Sequence, residues 1–312
     1  MKKRTLITFA AALVVLSLAS CQKGTRSSDG FEGEELGSAV IFTAEGDGIS
    51  NTVVDTKAAE VTGATLSGFN VLAVTGTPGT SEVTAWSGPF VDPNFADPVK
   101  KGQYTATAGD VYWPATGDPE WKVYASNASM AAAATGPTIA ANAATDVVCA
   151  YLGTTTPRVS NALTFEHIFA RINNVTVAAQ AGYAITNIVI TVTPNTAGTY
   201  NMFTGAGQTD GTGWSALTAG TATTISRADQ LPGVQANDLW LVPGTYTVTA
   251  SWTATKGASV QNYANKTQNV VITGGKQNNL TTTLGGSASE VVFSVTVTPW
   301  SSMDVPVVFP TE

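Results

Sequence analysis

Residues 245–255 read TYTVTASWTAT, and this stretch decides the fold class. Tyr246, Val248, Ala250 and Trp252 fall on one side of a period of two, and threonines fall on the other. Successive side chains of an extended chain point to opposite faces, so this alternation marks a half-buried β-strand. The Pro-Gly pair at 243–244 is a strong turn signal that splits it from the run DLWLVP (238–243). Downstream, QNVVIT (268–273), a Gly-Gly pair and KQNNLTTTL (276–284) form another turn-divided pair of strands. EVVFSVTVTPW (290–300) is one more strand before the tail SSMDVPVVFPTE. Upstream, AITNIVITVTP (184–194) is a β-run, and LTFEHIFARINNVTV (163–177) fits a strand, a bend and a second strand. Residues 195–221 read as a Gly/Thr-rich connection containing Trp214.

The first half follows the same grammar. SAVIFTA (38–44), LSGFNVLAV (66–74), GDVYWP (109–114), EWKVYAS (120–126) and DVVCAYL (146–152) are strand candidates. In the fourth, Trp121, Val123 and Ala125 share one face while Lys122 and Tyr124 share the other. Residues 75–98, with four prolines, read as a long loop or hairpin. MAAAATGPTIAANAA (130–144) is the only Ala-rich stretch, and Gly136-Pro137 limits it to one helical turn. Many short strands with turn signals and almost no amphipathic helix define an all-β sandwich class. Two sandwiches in tandem fit the length, with a boundary at the Gly-Thr-Thr-Thr-Pro run 153–157.

The start of the chain speaks to location. Lys2, Lys3 and Arg4 precede an apolar run, Leu6 to Leu18, too short to span a bilayer. Leu18-Ala19-Ser20-Cys21 has the form of a bacterial lipoprotein cleavage site, so residues 1–20 read as a signal peptide and Cys21 as the lipidated residue. The alternative is an ordinary secretion signal that happens to abut a cysteine. Gln22 is not an aspartate, so the expected anchorage is the outer membrane. Residues 21–37 are polar and Gly-rich, a flexible tether.

Composition narrows the function classes. The formal charge is −7, and removal of the three N-terminal cations takes it near −10. Nucleic-acid binding requires basic patches, and this chain has none to spare. Only 12% of residues are charged, against about a quarter in ordinary globular domains, which suits an extracellular protein that packs into an assembly. The chain has one histidine, His167, set among Phe165, Ile168 and Phe169, and reads there as a satisfied core or edge residue. Cys149, in an apolar run, reads as a small buried hydrophobe, and with Cys21 acylated no disulfide remains. No G-x-S-x-G, H-E-x-x-H, C-x-x-C or P-loop pattern occurs. Asp92, Asp97, Asp110 and Asp118 lie in Pro/Gly loops but lack the regular spacing of a calcium loop. The reading is therefore a non-enzyme without a cofactor. Of the seven tryptophans, Trp86 sits in a Pro-rich region where it is placed to stack on a sugar; those at strands belong to cores.

Taken in order, the cleavage box at Cys21, SAVIFTA followed by DTKAAEV with Lys57, LSGFNVLAV, EWKVYAS, DVVCAYL, LTFEHIFARINNVTV, TYTVTASW and VTVTPW resemble the fimbrillin family of Bacteroides and its relatives, the subunits of lipoprotein-derived (type V) pili. The resemblance runs nearly end to end. It implies two tandem transthyretin-like β-sandwich domains, here 38–157 and 158–312, and transport to the outer membrane as a lipoprotein. It further implies trypsin-like cleavage near the start of the first domain, release of the first strand, and occupation of the vacated groove by another subunit. Mapped onto this chain, Lys57 is the cleavage position that would release residues 21–57, whereas a cut at Arg26 or Lys23 would free the lipid and leave the strand in place. The tail, with Val305, Val307, Val308 and Phe309, is either the last strand of its own domain or a donor strand for a neighbour, and Pro306 and Pro310 limit the ladder it makes. The partners implied are other fimbrillin subunits, the outer membrane through the lipid, and a host protein or glycan. The competing expectation is a surface lipoprotein that binds carbohydrate and never polymerises.

Overall fold

In a computed structural model, the chain divides into two compact units, residues 1–35 and 36–312. The structure describes residues 42–43, 65–77, 79–93, 95–96, 103–107, 121–153, 163–286, 291–299 and 303–305, all within the second unit. These residues form nineteen strands and one helical turn, arranged in four sheets.

The largest sheet has eight strands. Side by side they are β1 (Phe42–Thr43), β4 (Gln103–Ala106), β3 (Val83–Val91), β2 (Gly68–Thr75), β5 (Lys122–Ser126), β7 (Val148–Leu152), β8 (Leu163–His167) and β19 (Met303–Val305). Every neighbouring pair is antiparallel. The apolar run LSGFNVLAV becomes β2 because both of its faces are buried. Phe69, Val71 and Ala73 join one apolar cluster, with Phe90, Tyr104, Val123, Ala125, Leu163 and Phe165. Leu72 and Val74 join another on the opposite face, with Tyr124, Ile139, Phe169 and Tyr200. The alternation expected for EWKVYAS holds, since Trp121, Val123 and Ala125 meet the first cluster and Tyr124 the second.

Against the second face lies a three-stranded sheet, β12 (Trp214–Ala219), β11 (Asn195–Asn201) and β6 (Thr138–Asn142). Here two local readings are corrected. The Ala-rich stretch supplies strand β6 rather than a helical turn: Ile139 and Ala141 are buried, and the backbone pairs with β11 from Ala197↔Asn142 to Asn201↔Thr138. The 195–221 stretch is no mere connection. It holds β11, β12 and the single turn α1 (Met202–Gly205), capped by the Asn201 side chain, which accepts from the Phe203 and Thr204 amides.

The remaining eight strands form two four-stranded sheets enclosing a third cluster. One sheet is β13 (Thr223–Thr224), β10 (Ala184–Val192), β15 (Gly244–Lys256) and β16 (Ser259–Ile272). The other is β14 (Gly233–Leu241), β9 (Ala170–Ala179), β17 (Lys276–Leu284) and β18 (Phe293–Pro299), in which β9 and β17 run parallel. The alternation of 245–255 holds through β15, with Tyr246, Val248, Ala250, Trp252 and Ala254 buried between the sheets. The Pro243-Gly244 and Gly274-Gly275 turns carry the chain from one sheet to the other rather than closing hairpins. The two turns meet: a Cβ on Gly274 would lie 2.6 Å from the Pro243 ring, and the Gly275 amide donates to the Phe169 carbonyl at 2.9 Å. Gly275 has φ +60, a conformation open to glycine at little cost.

Two chain segments pass from one pair of layers to the next without a loop of any length. Leu163–Ala179 gives β8, a bend at Ile168-Phe169, and β9, while Ala184–Asn201 gives β10 and then β11 after Pro194. The β7–β8 and β6–β11 pairings join residues on either side of the 153–157 run.

Candidate functional site at the ends of the eight-stranded sheet

A strand at a sheet edge presents unpaired N–H and C=O groups, and proteins blunt such edges unless they use them. Of the four edges of the two four-stranded sheets, one is the two-residue β13 and the other three are interrupted. β16 is kinked by a bulge at Asn265, whose φ is +53, and carries Lys266 beside it. β14 has a register shift between Ala236 and Leu239. β18 ends at Pro299, and the Gln268 side chain from β16 bonds both the Phe293 amide and its carbonyl, as a neighbouring strand would.

The eight-stranded sheet is finished by short strands at both ends. Its two outermost strands are the first and last in sequence among the described residues, of two and three residues. At one end Phe42 and Thr43 lie opposite Tyr104 and Gln103 of β4. At the other, Met303, Asp304 and Val305 lie opposite Phe165, Thr164 and Leu163 of β8. The strands beneath are anchored in the core. Tyr104 is 1% exposed, donates to the Leu66 carbonyl at 2.6 Å, and packs its ring on Phe69 at 4.9 Å between centroids. Burial, and secondarily the charge of Asp92, pushes its hydroxyl up to about 12. Phe165 of β8 also packs on Phe69, at 5.1 Å between centroids. One aromatic ring, Phe69, therefore touches the inner residues beneath both ends of the sheet.

Of the residues singled out from sequence, Val305 is thus a backbone partner of Leu163. Cys21, Arg26, Lys57, Val307, Val308 and Phe309 lie outside the described residues, as do Asp97, Asp110 and Asp118. Asp92 is 7% exposed and its amide donates to the Ser67 carbonyl. No group of three or more His, Cys, Asp or Glu side chains suited to a metal occurs among the described residues. His167 is buried, with Nδ1 2.9 Å from Oδ1 of the fully buried Asp146. Cys149 packs against the second cluster with its Sγ 3.6 Å from Ser126 Oγ, and burial pushes its thiol up to about 12, which keeps it protonated and inert. Trp86 packs edge-on against Phe90 at 5.5 Å and sits against Gly88, half-buried. Trp240 and Trp252 are core residues whose indole N–H groups donate to Asp238 and to the Gly285 carbonyl.

Sequence reasoning missed the cavity beside β8. It has a volume of about 210 Å³ and lies between β7, β8 and the loop that follows α1. Glu166 and Tyr200, which help to line it, stand thirty-four positions apart in the sequence, and Tyr200 is set there by β11, which pairs with β6 and β12. No spacing rule could have joined them.

The chain belongs to the fimbrillin-like family, whose model matches residues 56–300. No curated protein matches it. Among solved structures it is similar to a fimbrial protein from Bacteroides vulgatus, with 14% identity over 75% of this chain and 93% of that one and a TM-score of 0.45. It is also similar to a candidate cell adhesion protein from Parabacteroides distasonis, with 11% identity over 85% of this chain and 98% of that one and a TM-score of 0.48. A candidate cell adhesion protein from Bacteroides uniformis shares 16% identity over the same 85% and 98%, with a TM-score of 0.43. A cell-surface fimbrium is the setting this family implies.

Proposed function

We propose that this protein is a structural or adhesive pilus subunit, exported as a lipoprotein anchored at Cys21 and polymerised by proteolysis-triggered strand exchange. The observation that supports this most is that the eight-stranded sheet is closed at its two ends by the first and last strands among the described residues, each only two or three residues long. A cut after Lys57 separates β1 from β4 in covalent terms, leaving two paired residues to hold it. Loss of β1 bares the β4 edge beside Tyr104, and a strand from another subunit satisfies that ladder. The tail from Met303 onward is the donor: three residues pair it to β8, and Val307, Val308 and Phe309 continue the apolar sequence. Such head-to-tail addition does not close on itself, so a filament grows.

The carbohydrate reading draws no support from the aromatics. Trp86, Trp121, Trp214, Trp240 and Trp252 all pack against other side chains, and no exposed aromatic ring stands among the large exposed hydrophobics of the described residues. Processing is tested by exposing the whole chain to a low dose of trypsin and following assembly. Lys57→Ala is expected to lose most filament formation, while Arg26→Ala assembles as the parent does. Equal assembly by the Lys57 variant and the parent would remove Lys57 as the processing site.

A further inference from the structure

We infer that Glu82 is an acid-released latch: as a carboxylate it holds the turn between β2 and β3 closed, and on taking up a proton it lets that turn lift from the Phe203 ring. The inference stands whether or not the strand-exchange reading does. Glu82 ends the turn, one residue before β3. Its Oε1 accepts from the Tyr124 hydroxyl of β5 at 2.5 Å and from the Gly79 amide at 3.1 Å, so one oxygen ties the turn to the sheet. Its Oε2 is buried and has no hydrogen-bond partner among the described residues. A buried carboxylate oxygen left empty is uncommon in a folded protein and calls for a reason. The Lys122 ammonium does not fill it, since it donates to the Gly76 carbonyl at the other end of the turn.

The turn covers aromatic surface. Gly79 has φ +67, and a Cβ there would lie 2.3 Å from the Phe203 ring, so the backbone sits directly on that ring. Phe203 meets Tyr151 edge-on at 5.8 Å, and Tyr151 stacks on Tyr124 at 4.7 Å, at the rim of the second apolar cluster. Burial, and then the bond to Glu82, raises the Tyr124 pKa. Burial, and then the Glu82 charge, raises that of Tyr151. Both phenols therefore stay neutral. The turn itself, residues 131–136 and α1 contain no ionisable side chain. Glu82 is thus the group in this cluster that changes charge as the solution turns acid. Protonation weakens its hold in two ways. A neutral carboxyl oxygen accepts more weakly than a carboxylate. The added O–H on Oε2 also meets no acceptor while the turn is closed, and reaches water once it opens. Proton uptake and opening are therefore linked.

The test follows the whole chain by NMR from about pH 7 to about pH 4, a span that includes the ordinary carboxylate range. Protection of the Gly79 amide, corrected for its intrinsic exchange rate, is expected to fall about tenfold as the Glu82 carboxyl takes its proton. Relaxation of the Phe203 ring protons by a soluble paramagnetic probe is expected to rise in step. The Gly275 amide, bonded to the Phe169 carbonyl, is the control and should keep its protection. Glu82→Gln, a neutral side chain of the same shape, is expected to show the acid values of Gly79 and Phe203 already at pH 7 and no further response. Steady Gly79 protection while Glu82 titrates, a pH response that survives in Glu82→Gln, or loss of Gly275 protection together with that of Gly79 would each overturn the inference.

Discussion

Tyr104 shows how one side chain ties a sheet edge to the core. Its hydroxyl donates to the Leu66 carbonyl, so Tyr104→Phe leaves that acceptor without its donor and is expected to cost about 1 kcal/mol in denaturant unfolding. The same residue predicts an alkaline limit. Its pKa rises from 10.0 to about 12 on folding, so the neutral form is the one the fold favours. The stabilisation is whole below pH 10 and disappears as pH climbs through 12, with Cys149, raised from 9.0 to about 12, adding in the same direction. Melting temperature is expected to hold between pH 7 and 9 and to fall between pH 10 and 12, less steeply in Tyr104→Phe. An equal alkaline fall in parent and variant would contradict the assignment. The His167–Asp146 pair is a second test of a buried polar contact. Asp146→Ala strips a fully buried hydrogen-bond partner from a buried ring and is expected to cost about 1 to 3 kcal/mol. A cost under about 1 kcal/mol would show that other contacts carry the site.

Elements were legible where one physical signal dominated. β15 could be read from its alternation, and β8-bend-β9 from an apolar pattern broken at Ile168-Phe169. The Ala-rich β6 was not, because alanine favours helix locally and only pairing with β11 overrides that preference. The bulge in β10 was equally hidden. Asn187 takes φ +53 between the Thr186 and Val189 registers, and nothing in AITNIVITV marks it beyond an asparagine that tolerates that conformation. Of the candidate site, the sequence pointed to the terminal strands but not to their neighbours, since β1 pairs with residues sixty positions away and β19 with residues further still. At this scale the bridging amide of Gln268 yields a prediction. Gln268→Ala removes the surrogate partner of Phe293, so hydrogen exchange of the Phe293 amide should quicken while amides of β17 keep their protection. Unchanged exchange at Phe293 would mean the edge is held by β17 alone.

At the scale of the molecule, a packed body carries a short strand at each end of its largest sheet, and the proposed strand exchange would use those two ends. The body is held by three apolar clusters, and a Trp252→Ala substitution in the largest is expected to cost about 3 to 5 kcal/mol. The tail contributes differently. A three-residue pairing with β8 is expected to add little to the stability of the subunit that carries it, whereas under the proposed donation each of its apolar side chains would contribute about 1.5 to 3 kcal/mol, before ordering costs, in a neighbour's vacated groove. The most direct measurement is electron microscopy of the whole chain and of the chain lacking residues 303–312, each after the same limited trypsin treatment, with melting of the untreated proteins recorded alongside. The account predicts matching melting temperatures and filaments from the parent only. Filaments from both chains, or from neither, would contradict it.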